Sequence, residues 1–213
     1  MSETESKVSK QVKSYPPGGV KLAAAMRHLL KNKDFNSITT SEISKEAGVN
    51  EALIYRYFDD KRGLLHAVLA EYWSDFSKNI EEELKILQGS LNKIRTIITR
   101  HIEVFNQDRV IAKILLLEVR NYPGYFNGDT YLVIKEYSGL LMRVIKEGQR
   151  AGEIRDDLLP ERIRDLIFGG IEHFSMTAVI FRRPMKAESL AEDLCSLVFG
   201  GVQQAKQESG GSA

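Results

Sequence analysis

The stretch from Ile38 to Lys61 admits few folds. Ile43 and Ala47 fall four residues apart, and so do Ile54 and Phe58, which is the spacing of one helical face. Between the two pairs stands Gly48, where a helix must exit through a left-handed conformation that only glycine adopts cheaply. Thr40 can cap the first helix through its hydroxyl, and Asn50 can cap the second. Val49 plugs the turn and Leu53 lies beside Ile54, so residues 43, 47, 49, 54 and 58 make one small apolar core from two short helices. This is the pattern of a helix-turn-helix, whose second helix can lie in a DNA major groove. Periodicity alone fits an ordinary helical hairpin equally well.

The outward residues favour a partner. Thr40, Ser41, Asn50, Tyr55, Tyr57 and Lys61 are all hydrogen-bond donors, near helix starts or on the exposed face, as phosphate oxygens require. Asp59 and Asp60 can cap a third helix, which puts Lys61 near an N-terminus where a cation pairs poorly with the helix dipole. An anionic partner would account for it.

The segment resembles the DNA-binding domain of the TetR family of bacterial regulators. The matching residues are Thr39-Thr40, Ile43, Ala47-Gly48-Val49, Tyr55, Phe58 and Lys61-Arg62-Gly63-Leu64-Leu65, within a resemblance over about residues 20–70. It implies that Thr40 and Ser41 touch DNA from the first helix and that Asn50, Glu51, Ala52, Leu53 and Arg56 face the bases. It implies phosphate contacts for Tyr55, Tyr57 and Lys61. The chain departs from the family in two places. Lys33-Asp34 make a turn where a glycine usually precedes the aromatic, here Phe35, and Glu51 puts an acid on the reading helix. Glu51 either favours the helix N-terminus or accepts from a cytosine amino group.

Composition narrows the remaining classes. A net charge of +1 excludes a strongly basic nucleic-acid coat. Residues 1–66 carry 11 Lys and Arg against 8 Asp and Glu, a modest bias towards the reading segment. Lys7, Lys10 and Lys13 form a basic arm, expected over residues 1–18, that either reaches DNA or is disordered. No apolar run approaches the ~20 residues of a membrane helix, and the first residues lack the apolar stretch of a secretory signal. The single cysteine, Cys195, allows no intrachain disulfide and no zinc cluster, so no metal or cofactor is expected and a reducing cytoplasm is the expected setting. His28, His66, His101 and His173 stand in separate blocks without ligand spacing. With no phosphate-binding glycine loop or nucleophile elbow, the chain is not expected to be an enzyme.

No convincing strand signal occurs, and glycine and proline separate helical blocks. The expected fold is all-α, with a three-helix helix-turn-helix domain over 19–66, a helical effector-binding and dimerisation domain over 67–205, and a disordered tail over 206–213. A long helix begins at Lys61, and further helices are expected near 90–106, 108–120, 129–150, 160–182 and 187–205. The last two carry apolar residues on two faces, more than one core can use. A two-fold dimer is therefore expected, with a four-helix interface through Phe168, Ser175, Met176, Val179, Cys195, Phe199 and Val202. The family resemblance implies the same arrangement. Such a dimer would read double-stranded DNA as an inverted repeat.

Polar side chains on apolar stripes suggest an effector site: His101 near Phe105, Glu118, Tyr137, and beyond them Arg120 and Phe174. They equally fit groups that satisfy one another or bind trapped water. The resemblance implies an effector cavity in this region. The Gly152–Asp157 stretch is similar to members that respond to fatty acyl compounds, while Glu118 and the aromatics suit a cationic, drug-like ligand. The expected activity is that of a repressor released by a small hydrophobic effector. The alternative is an effector-independent DNA-binding or scaffold protein.

Overall fold

The computed structural model describes residues 14–120 and 124–203. Lys7, Lys10 and Lys13, the loop residues Asn121, Tyr122 and Pro123, and the expected tail over 206–213 lie outside the described residues. Among those described there are nine α-helices and no strand, only a single bridge between Ile154 and Gln203. The chain divides into two compact units after Ser74, inside the helix that starts at Lys61. The boundary expected at residue 66 falls earlier in that helix, in which buried apolar residues recur on both sides of the division, from Leu64 to Leu84.

In the first unit, α1 (Pro17–Leu30) starts with proline in its first turn, where a missing N–H costs nothing. Pro17 and Gly18 are thus helical and not part of an arm that was expected to run to residue 18. The Tyr15 ring lies 4.5 Å from that of Phe58. Leu22, Met26 and Leu30 are buried, and α1 packs on α2 (Thr40–Ala47) and α3 (Ala52–Phe58). The Lys33-Asp34 turn needs no glycine. Lys31 and Asn32 tighten the end of α1 with bonds to His28 and Leu29 carbonyls, and Asp34 is then extended at φ −70°. A short 3-10 turn over Phe35–Ser37 buries Phe35.

Thr39, not Thr40, caps α2. Its hydroxyl accepts from Glu42 N while the Glu42 carboxylate accepts from Thr39 N at 2.9 Å, a reciprocal capping box. Those bonds and the Lys33 ammonium, the largest influence, hold the Glu42 carboxyl down at about 2. Gly48 ends α2 at φ +63°, as its position in the sequence requires. Ile43, Ile54 and Phe58 are buried and Ala47 and Val49 half-buried, which is the two-helix core expected.

The helix α4 (Lys61–Lys85) carries the chain into the second unit, where α5 (Ser90–Gln107) is central. Ile94, Ile97, Ile98 and Ile102 of α5 are fully buried. Around it pack α7 (Asp129–Arg150), α8 (Pro160–Ile180) and α9 (Ala187–Val202), with the short α6 (Arg109–Leu117) between α5 and α8. At one end Glu153 caps α5 by accepting from Ser90 N at 2.6 Å, and Arg155 N donates to Val202 O at 2.9 Å. These two contacts tie the ends of α7 and α9 to the start of α5. Among the described residues no helix is long and apolar enough to cross a membrane.

Candidate functional site

The helix α3, expected from sequence to face DNA, is held from both ends. Asn50 Oδ1 accepts from Ala52 N at 2.8 Å, the cap its position suggests. At the other end Asp59 takes φ +68°, an uncommon conformation for a residue with a side chain. Asp60 Oδ1 then accepts from Gly63 N at 2.6 Å and starts α4. A Cβ at Gly63 would lie 1.8 Å from the Phe58 carbonyl oxygen, so only glycine permits this approach. The chain direction from α3 into α4 is therefore fixed by backbone geometry.

Ser41, Asn50, Ala52, Tyr55 and Arg56 are exposed. Tyr57 is half-buried, with its ring edge against Phe58 and the Arg56 guanidinium 5.7 Å from its centroid. Leu53 is half-buried against Gly18 of α1. Thr40 and Glu51 hydrogen-bond one another: Thr40 Oγ1 donates to Glu51 Oε1 at 2.5 Å. Glu51 makes no capping bond to its own helix.

Lys61 has a different setting from the one its sequence position suggests. Its Nζ donates to Ile38 O at 2.6 Å and to Phe35 O at 3.0 Å, and it lies 4.4 Å from the Phe35 ring centroid. Backbone carbonyls of the α1–α2 connection thus supply the negative partner, and no bound anion is needed to explain the lysine. Burial is the main cause holding its pKa below the ordinary lysine value, with Arg62 adding repulsion and Glu42 opposing.

In the second unit the structure brings together His101, Phe105 and Tyr137 from the expected effector set. His101 Nδ1 and Tyr137 Oη are hydrogen-bonded at 3.3 Å, and both residues are buried. Phe105, Phe76 and Phe168 surround the imidazole at centroid distances of 4.7, 6.1 and 5.9 Å. Burial first, and the Arg120 charge second, push His101 down to about 3, so it is neutral at physiological pH. Burial alone raises Tyr137.

The other three effector candidates stand apart. Glu118 is half-buried just past the end of α6, as its C-cap. Arg120 pairs with Glu172 of α8 through two hydrogen bonds, one of 2.9 Å from Nη1. Phe174 is 36 % exposed on the outer face of α8 and does not join the aromatic cluster. Phe76, absent from the expected set, belongs to the aromatic cluster, its ring 6.1 Å from that of His101 and 5.4 Å from that of Tyr137. Phe76 was visible in the sequence as part of the α4 apolar stripe.

The expected dimer residues need correction. Ser175, Val179, Cys195 and Val202 are at most 1 % exposed inside the chain's own core and have no surface to offer. Phe168 packs on His101 and Tyr137, Met176 is half-buried, and Phe199 lies under the Arg95 guanidinium at 5.2 Å. The apolar residues facing outward are Leu166, Phe174 and Phe181 on and just after α8, and Leu197 on α9. Gly169, Gly200 and Gly201 also face open space. Ser175 and Val179, read from sequence as the interface stripe of α8, turn inward, and so do Ile163, Ile167 and Ile171 of its other apolar stripe. Among the described residues no three His, Cys, Asp or Glu side chains could hold a metal.

Comparison with known proteins gives a consistent result. A family model described as bacterial regulatory proteins of the tetR family matches residues 22–68, and one described as the C-terminal region of YsiA-like proteins matches residues 69–201. The chain is 25 % identical over 191 residues to a fatty acid metabolism regulator protein of Bacillus subtilis, covering 90 % of this chain and 98 % of that one. It is similar to the crystal structure of the Bacillus subtilis regulator FadR in complex with stearoyl-CoA, with TM-score 0.76 and 25 % identity over 86 % of this chain and 99 % of the other. The fold is also that of a fatty acid degradation regulator from Bacillus halodurans, with TM-score 0.78 and 22 % identity over 91 % and 100 % of the two chains.

Proposed function

The chain belongs to the TetR family of bacterial regulatory proteins, and on that premise we propose that it is a homodimeric repressor released from an inverted-repeat operator by a fatty acyl-CoA. The observation that carries the effector is the likeness along nearly the whole chain, at 25 % identity, to a fatty acid metabolism regulator and to a FadR seen with stearoyl-CoA. The chemistry of the second unit supports the same class of ligand. A neutral His101–Tyr137 pair, each satisfying the other inside a ring of phenylalanines, presents aromatic surface without charge and suits the methylenes of an acyl chain. A cationic ligand finds no carboxylate in that cluster.

DNA is read by α3. Exposed Asn50, Ala52, Tyr55 and Arg56 supply base and phosphate contacts, with Ser41 reaching the backbone from α2. Two copies join through the outward stripe of Leu166, Phe174, Phe181 and Leu197, where the open glycines allow close packing. The two-fold axis sets two reading helices in successive major grooves. Effector binding favours a conformation with a different spacing between them, and the operator is released by population shift.

The test is fluorescence anisotropy of an operator selected in vitro, titrated with stearoyl-CoA. Release at micromolar ligand, with no effect of free coenzyme A, is the expected result. An operator complex that withstands saturating acyl-CoA of every chain length would overturn the effector assignment.

A further inference from the structure

The hydrogen bond between Thr40 and Glu51 changes what both residues can do. A threonine hydroxyl has one hydrogen to donate. Thr40 gives it to Glu51 Oε1 at 2.5 Å, so it cannot at the same time donate to a phosphate. Glu51 does not serve its own helix as a cap, because Asn50 bonds to Ala52 N instead. The carboxylate is half-buried at the first turn of α3, with the small exposed Ala52 beside it and exposed Tyr55 one turn on. Thr40 occupies one of its two oxygens and thereby fixes its direction.

We propose that Glu51 is a base-reading residue, held in place by Thr40, that accepts from the N4 amino group of cytosine in the major groove. This rests on the DNA-binding part of the function proposed above. A carboxylate can only accept, and among the major-groove base edges the amino donors are cytosine N4 and adenine N6. The adenine donor is flanked by the N7 acceptor, which repels a carboxylate, so cytosine is the better partner. Every other edge, and every phosphate, disfavours the charge. Glu51 therefore selects as much by rejecting other bases as by binding one. Thr40 acts through Glu51 and is a positioning residue.

The experiment is selection from a random duplex pool with the full-length protein, followed by affinity against salt for the best site. Wild type should demand cytosine at one symmetric position of each half-site. Glu51→Ala should lose that preference, on the order of tenfold, and leave the other positions unchanged. Glu51→Gln keeps an acceptor for Thr40, which preserves the α2–α3 contact, and should move the preference towards adenine. Thr40→Val should blur the cytosine preference without changing the salt slope, and Thr40→Ser should restore it. Selection of the same bases with the same strength by Glu51→Ala overturns the assignment. A loss of affinity in Thr40→Val that is uniform across sequences, with the cytosine preference intact, makes Thr40 a phosphate contact and overturns its positioning role. A wild-type protein that selects no sequence overturns the DNA-binding reading itself.

Discussion

Replacing Lys61 by methionine separates two roles that a lysine at this position can have. Methionine keeps an unbranched apolar stem and removes only the ammonium. In the structure that ammonium holds the Phe35 and Ile38 carbonyls at 3.0 and 2.6 Å and sits 4.4 Å from the Phe35 ring centroid. Two charge-assisted hydrogen bonds are worth roughly 1.5 kcal/mol each and the ring contact about 0.5 kcal/mol. Desolvation of the ammonium, evident in its lowered pKa, offsets part of this. The net loss in Lys61→Met should then be roughly 2 kcal/mol, a fall in melting temperature of about 4–8 °C for a chain of this size. The assay is urea and thermal unfolding, set beside the salt dependence of operator affinity. A structural clamp predicts lower stability with an unchanged slope of log affinity against log salt. A phosphate contact predicts the reverse: stability within about 0.5 kcal/mol of wild type and a slope reduced by about 0.9. That second outcome would refute the clamp.

Gly63→Ala should be more damaging, since the new methyl would lie 1.8 Å from the Phe58 carbonyl. A loss of at least ~2 kcal/mol in urea unfolding is expected, together with loss of operator binding; near-wild-type stability would contradict the tight α3–α4 turn. His101 has a folded-state pKa of about 3 against an ordinary value of 6.5, so the unfolded chain takes up the proton first as pH falls. Its contribution to stability is complete above about pH 6.5 and declines from there towards pH 3. Melting curves of His101→Phe across this range should fall less steeply on acidification than wild type, and parallel curves would argue against the buried neutral imidazole. Leu197, 66 % exposed on α9, should tolerate Glu as an isolated surface position but not within an interface. Leu197→Glu should sediment as a folded monomer at micromolar concentration; an unaltered dimer would exclude the outward stripe as the interface.

Much of the fold was legible because helices are local. The apolar spacing from Asp129 to Arg150 gave α7 at its observed ends, and the expected helix from residue 90 matched α5 to within one residue. Gly48 announced its turn because a positive φ is a single-residue requirement. The Thr39 cap was misread as Thr40 because both residues have the same hydroxyl. Glu42, three residues after Thr39, marks the capping box and could have decided between them.

The candidate sites were less legible. His101 and Tyr137 stood out as polar residues on apolar stripes, 36 positions apart, but their bond to each other is a property of how α5 and α7 pack. The same holds for Lys61, whose acceptors lie 23 and 26 residues upstream, and for Thr40 with Glu51. The sequence by itself determined where helices run, where they stop and that α8 has two apolar faces, because backbone propensity and a 3.6-residue period act over a few neighbours. Only the tertiary structure decided that Phe168, Ser175 and Val179 turn inward while Leu166, Phe174 and Phe181 face out. Ile163, Ile167 and Ile171 on the other stripe are buried as well, because how much of a helix's circumference is covered depends on the helices packed around it and not on its own period.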